Sequence, residues 1–200
     1  MRASGTEGYG ASADVLVKQY ESLSFAQVHR HILPLLPSEP SRALDVGAGT
    51  GRDAAGLCAL GHSVTAVEPT AEMRGHGQRL HGHLPIRWID DSLPELAAVH
   101  ALGERYEVVM LTAVWMHLDA GQRALAMGRL ADLLAPDGFM ALSLRHGPIP
   151  AGRRMFEVSA AETCALAARH GLVAVHDSEG PSLQAPGVWW SRLAFRYGAA

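Results

Sequence analysis

The run Ala43-Leu44-Asp45-Val46-Gly47-Ala48-Gly49-Thr50-Gly51-Arg52 constrains this chain more than any other stretch. Ala43 to Val46 reads as a short buried strand, and three alternating glycines then force a tight turn into a helix that begins near Arg52. Glycine reaches the positive φ such a turn needs and has no Cβ to hold a ligand away from the backbone. Glu68 closes the next apolar run. An acid about 20 residues past the turn of a nucleotide-binding βαβ unit meets ribose hydroxyls. Turn, helix and acid together describe a pocket for a nucleoside.

A dinucleotide fingerprint wants glycine at its sixth position for close helix–strand packing. Counted from Gly47 that position is Arg52, which fits an NAD-binding dehydrogenase poorly. The 200 residues suit one domain, and a net charge of −3 argues against a nucleic-acid partner, whose phosphates call for a basic face. No apolar run has transmembrane length, so no membrane association is expected. Met1 to Ala13 is rich in Gly and Ser and lacks the apolar core of a secretory signal, which makes a cytoplasmic location the default. Cys58 and Cys164 read as separate core thiols, and the histidines never fall in a metal-ligand spacing.

Strands alternate with helices along the chain, the pattern of a parallel sheet covered on both faces. A helical region over 14–36 ends at Pro37-Ser38-Glu39-Pro40. Strands follow at 43–47, 63–68, 86–89, 106–112, 139–144, 172–176 and 188–197. Helices are expected over 52–60, 71–80, 93–102, from Asp119 to Leu134, and from Ser159 to His170. Asp119 with Gln122 and Ser159 with Glu162 read as capping boxes for the last two helices.

The G-x-G-x-G turn after Asp45-Val46, with Glu68-Pro69 downstream, resembles the class I S-adenosylmethionine-dependent methyltransferases. Three further segments extend the likeness. Ile86 to Pro94 (IRWIDDSLP) resembles the segment that holds the adenine ring, and Tyr106 to Leu118 resembles the strand and loop beside the reacting centre. Leu133-Leu134-Ala135-Pro136-Asp137-Gly138 resembles the L-x-P-G-G turn, with Asp137 in place of the first glycine. The resemblance covers about Ala43 to Tyr197. It implies an α/β fold: a Rossmann-like, doubly wound, seven-stranded, mostly parallel sheet with an antiparallel last strand. Residues 1–40 would be a helical lid or extension and 41–200 the methyltransferase domain.

It also implies where S-adenosylmethionine sits. Backbone N–H groups of Gly47, Ala48 and Gly49 would approach its amino acid and ribose portions. Asp45 would reach the methionyl ammonium, or else cap a backbone N–H. Glu68 would accept from the ribose hydroxyls, and Pro69 and Met73 would pack on adenine. Asp91, rather than Asp90, would accept from the exocyclic amine, with Ser92 and Leu93 giving backbone contacts. Thr112 and Arg52 complete this set; Arg52 would pair with Asp53 or meet the lid.

His117 is the expected catalytic group, either as a base or only orienting the acceptor. Tyr9, Tyr20, Trp115, Met116, Arg145 and His146 are the expected substrate contacts, with simple core the alternative for one of Trp115 and Met116 and an anchor on the sheet edge the alternative for either tyrosine. Arg153 and Arg154, in the loop after Arg145, suggest an anionic acceptor, unless these arginines are merely solvated. A divalent-metal site would need carboxylates where Thr112, His117, Arg145 and His146 stand, so no metal is expected. The expected activity is methyl transfer to O or N of a small molecule. The alternatives are a protein or RNA methyltransferase, a cofactor-binding regulator without catalysis, and an NAD binder; oligomeric state is open.

Overall fold

The structure, a computed structural model, describes residues 5–198. Met1 to Ser4, the start of the expected extension, and Ala199-Ala200 lie outside the described residues. Seven strands form one sheet: β1 (Arg42–Val46), β2 (Ser63–Val67), β3 (Arg87–Ile89), β4 (Tyr106–Leu111), β5 (Leu134–His146), β6 (Leu172–Pro181) and β7 (Trp189–Tyr197). Their spatial order is β3-β2-β1-β4-β5-β7-β6. β1 to β5 run parallel, and β7 alone is reversed, antiparallel to both β5 and β6. The order turns around between β1 and β4, and ligands of open α/β sheets bind beyond the carboxyl ends of the strands at that point.

The helices are α1 (Ala13–Tyr20), α2 (Phe25–His29), α3 (Arg52–Ala59), α4 (Ala71–Leu80), α5 (Ala97–His100), α6 (Ala120–Leu133) and α7 (Ala160–Ala168). β1 and β4 read as nearly continuous apolar runs because both their faces are buried. One core, around Trp115, Tyr106, Leu130 and Phe195, fills one face. The other, around Phe25, Leu57, Met110 and Phe139, fills the opposite face and brings α2 and α3 onto the sheet.

Several expected boundaries shift. The single N-terminal helix is two: α1 ends at Tyr20, and Ser24 starts α2 with its own capping box to Gln27. The expected 93–102 helix shrinks to the one turn of α5. α6 ends at Leu133, and β5 begins at once at Leu134 rather than at 139, running through Pro136-Asp137-Gly138, where the β4–β5 ladder is irregular. The Asp119–Gln122 capping box is complete. The Ser159 box is only half made: Ser159 Oγ accepts from the Glu162 N–H, but the Glu162 carboxylate pairs with Arg123 at 2.8 Å. No helix among the described residues is long and apolar enough to cross a membrane.

Candidate active site

The carboxyl ends of β1, β2, β4 and β5 open into a cavity of about 490 Å3. On its floor Asp45 is 1% exposed, and its Oδ2 has no hydrogen-bond partner among the described residues. Burial, then the neighbouring Asp53, hold the Asp45 carboxyl well above the usual carboxylate range, against the pull of Arg52 and the Ala54 N–H. A buried acceptor with no donor is a costly arrangement that an incoming cation relieves.

The glycine turn differs from expectation. Gly47 N and Ala48 N both donate to the Val67 carbonyl, at 2.8 and 2.9 Å, and Gly49 N donates to Glu68 Oε2 at 2.9 Å. Those three N–H groups are therefore committed to the protein and not aimed at a ligand. The turn serves instead by lacking side chains. Gly49, with φ +56°, faces the cavity, where a Cβ would meet Met73 Cε at 3.7 Å and Tyr20 Cδ2 at 3.8 Å.

Glu68 is buried, its Oε1 accepting from Thr70 N at 2.7 Å. Burial raises its pKa, and the Thr70 and Gly49 donors with Arg74 oppose the rise. Each carboxylate oxygen still has a second acceptor site. Arg74 ties the Glu68 carbonyl to Asp90, which turns to solvent. Asp91 turns inward, but its Oδ1 accepts from Ser92 N at 2.8 Å and its Oδ2 from Ala98 N and Val99 N at 2.8 and 3.1 Å. It thus anchors the start of α5, and the Ser92 N–H is spent on it. Pro69, Met73, Leu93 and Thr112 all line the cavity.

After Thr112, Ala113 takes φ +62°, an unusual conformation for a side-chain-bearing residue, and donates its N–H to Ser143 Oγ at 3.0 Å. A 3-10 turn over Trp115–His117 then fans its side chains apart. Met116 and His117 line the cavity, whereas Trp115 is fully buried in the sheet core and does not. His117 Nδ1 lies 2.7 Å from the Arg154 carbonyl, which only accepts, so Nδ1 carries the proton. Nε2 is then the acceptor, and the Tyr9 hydroxyl donates to it at 2.9 Å. Burial, then Arg153 and Arg145, lower the His117 pKa against the Arg154 carbonyl and Glu7, which favours the neutral ring.

Tyr9 and Tyr20 both line the cavity, and burial raises the pKa of each. Arg153 lies over the Tyr9 ring, 3.8 Å from its centroid. Gln184, between β6 and β7, donates to the Gln19 carbonyl at 2.9 Å and to Ser22 Oγ at 2.8 Å, tying the roof to α1. His146 is the other misplaced expectation. It stacks on Trp189 with centroids 3.8 Å apart and bonds Ser191 Oγ at 2.9 Å, outside the cavity, because alternate residues of β5 face opposite ways. Arg145 does line it.

Sequence reasoning missed His29. Its Nε2 meets Asp53 Oδ2 at 2.8 Å, and the other Asp53 oxygen meets Arg52 Nε at 2.7 Å. Burial alone would raise the Asp53 carboxyl, but His29 and Arg52 hold it far below the usual carboxylate range. Arg52 also donates to the Tyr20 carbonyl at 3.4 Å, so both of its expected contacts form. Nothing in the spacing of His29, on a separate helix, signals this triad. Among the described residues no group of three His, Cys, Asp or Glu side chains is arranged to hold a metal ion.

A family model described as a methyltransferase domain matches residues 19–176. The chain belongs to that family. Its sequence and fold are those of a class I S-adenosylmethionine-dependent methyltransferase. The fold matches 1,6-didemethyltoxoflavin-N1-methyltransferase of Burkholderia thailandensis, solved with 1,6-didemethyltoxoflavin and S-adenosylhomocysteine. The TM-score is 0.77 at 22% identity, over 96% of this chain and 86% of that one. A TehB-like S-adenosylmethionine-dependent methyltransferase from Corynebacterium glutamicum matches with TM-score 0.68 at 18% identity, over 94% and 99% of the two chains. The glycopeptide N-methyltransferase MtfA, solved with S-adenosylmethionine, matches with TM-score 0.69 at 14% identity, over 88% and 95%. No curated protein sequence matches significantly. S-adenosylmethionine is the cofactor of this family.

Proposed function

We propose that this methyltransferase moves a methyl group from S-adenosylmethionine to an oxygen or nitrogen of a small, anionic molecule. One observation carries the reading. The same cavity holds the unpartnered Asp45 Oδ2 and the basic Nε2 of His117, under a roof fastened by Gln184. A roofed cavity admits a small acceptor and hinders a folded protein or an RNA.

Asp45 is the seat for the methionyl ammonium, Glu68 for the ribose hydroxyls, and Pro69 and Met73 for the adenine face. Asp91 holds the α5 end of the adenine side, with Ser92 and Leu93 beside it. The bound cofactor supplies an electrophilic methyl on a sulfonium, already a good leaving group. The chain's tasks are then to align the acceptor, exclude water and hold its proton. His117, neutral and protonated at Nδ1, accepts that proton at Nε2 once the acceptor takes the place of the Tyr9 hydroxyl. Met116 and Tyr20 bound the space where the acceptor lies.

Release of S-adenosylhomocysteine from S-adenosylmethionine, screened across carboxylated and phosphorylated metabolites, tests this reading. Turnover of a small anion supports it. Turnover only of neutral or cationic acceptors, or only of a protein or RNA, contradicts it.

A further inference from the structure

The sheet face that carries Met110, Ala141 and Ala194 is apolar in its middle and turns polar at the cavity. Met110 pairs with Ala141 and Ala141 with Ala194, and Ser143 pairs with Arg192 one step nearer the mouth on that same face. Thr112 follows on β4. The row Thr112, Ser143, Arg192 therefore crosses β4, β5 and β7, and all three residues line the cavity. Thr112 has the His29 ring at 3.5 Å, and Ser143 accepts from Ala113 N.

Arg192 is half-buried, and among the described residues no hydrogen bond or ion pair engages its guanidinium. Its electrostatic neighbour is another cation, Arg30. Beside it in the cavity, His31 feels Arg30, Arg192 and His176 and no carboxylate. Arg30 Nε donates to His31 Nε2 at 2.9 Å, so the neutral His31 ring keeps its proton on Nδ1 as a spare donor.

The arginines that the sequence singled out are placed differently. Arg145 donates to the Pro148 carbonyl, Arg153 to the Glu7 carbonyl, and Arg154 pairs with Asp119. A half-buried guanidinium with no counter-charge keeps donors free for an arriving anion, and partial burial strengthens that pairing. Its planar fork matches a carboxylate or phosphate with two parallel hydrogen bonds.

We propose that Arg192, with His31 beside it, is the seat for the anionic group of the methyl acceptor, a carboxylate or phosphate monoester on an apolar body. This rests on the small-molecule methyltransferase reading above. Ile32, in the apolar cluster of that same face, and Trp190, two residues from Arg192 along β7 and so on its side, line the cavity and give the apolar body its surface. β7 lies two strands from β4, so the seat is roughly 10 Å from the backbone at Thr112. The acceptor therefore carries its anion about one ring's length from the methylated atom.

The test uses the full chain, with benzoate and phenyl phosphate as probes, titrated in the presence of saturating S-adenosylhomocysteine. Arg192→Gln should weaken the better probe about ten-fold or more, as expected for losing a charge-assisted pair, and Arg192→Lys should weaken it less. The preferred probe tells a carboxylate seat from a phosphate seat. S-adenosylhomocysteine affinity, titrated separately, should be equal in all three proteins. Arg87→Gln, whose arginine pairs with Glu104 outside the cavity, should leave probe binding unchanged. The proposal is overturned if neither probe binds the parent protein, or if Arg192→Gln binds them as well as the parent does. Absence of S-adenosylhomocysteine binding in the parent protein would instead sink the methyltransferase reading. The probes are then titrated without it, and the same Arg192→Gln comparison still decides the anion seat.

Discussion

The Tyr9 hydroxyl donates to Nε2 of His117 at 2.9 Å, while the ring's Nδ1 donates to the Arg154 carbonyl at 2.7 Å. Both ring nitrogens are thereby assigned, and the lone pair suited to a base points at the N-terminal segment. A hydrogen bond to the neutral ring lowers its pKa. Tyr9→Phe should therefore raise the His117 pKa back toward its ordinary value, near 6.5. Titration of the imidazole resonances in both proteins checks this, and coincident curves would show that the contact is not made in solution.

His117→Ala should lower kcat by about 10²–10⁴-fold with cofactor affinity nearly unchanged, the usual worth of a positioned proton acceptor. Because burial lowers the His117 pKa, the acid limb of the parent's kcat should lie below the ordinary imidazole value. The sign for stability agrees. With the folded value depressed, His117's contribution is complete above about pH 6.5 and is lost as pH falls toward the folded pKa. A mutant whose KM rises while kcat and the acid limb persist would leave His117 only a positioning role.

Asp45 makes cofactor binding depend on pH. Its carboxyl is held above the usual range by burial and Asp53, and an ammonium placed at Oδ2 favours the ionised form. Binding of S-adenosylhomocysteine should then release a proton, and affinity should rise with pH through the raised pKa. Calorimetry in two buffers of different ionisation enthalpy measures the proton count. Asp45→Asn should abolish the release and weaken binding. A proton count of zero across the acid range would remove Asp45 from the ammonium.

The residues from Tyr9 to Phe25 supply Tyr9, Leu16, Gln19 and Tyr20 to the cavity wall, held by the Gln184 and Arg52 contacts. Their amides should gain hydrogen-exchange protection when S-adenosylhomocysteine binds, and Gln184→Ala should reduce that gain. Equal protection with and without ligand would make this segment a fixed wall rather than a lid.

Much of this site was legible in the sequence because it is local to one turn. Strand, glycines and Glu68 follow one another in the chain, and short apolar runs bounded by turn residues placed the strands. What escaped depends on distant contacts. His29 reaches Asp53 from a separate helix, and Gln184 meets Gln19 across 165 residues. The side-chain fan of the turn after Ala113, whose positive φ no motif announces, sends Trp115 into the core and Met116 into the cavity. His146 and Arg145 are adjacent, yet strand alternation puts only Arg145 in the cavity. The Gly49→Val substitution that the turn invites is a poor probe of ligand approach, because φ +56° strains any side chain there regardless of space.

The central claim is that this cavity binds the methyltransferase cofactor through Glu68 and Asp45. Calorimetry of S-adenosylhomocysteine and NAD against the parent chain and Glu68→Ala tests it most directly. The parent should bind S-adenosylhomocysteine and not NAD, and Glu68→Ala should lose on the order of 1.5–3 kcal/mol, the worth of hydrogen bonds to a charged group. Tight NAD binding without a response to S-adenosylhomocysteine, or an affinity untouched by Glu68→Ala, would contradict it.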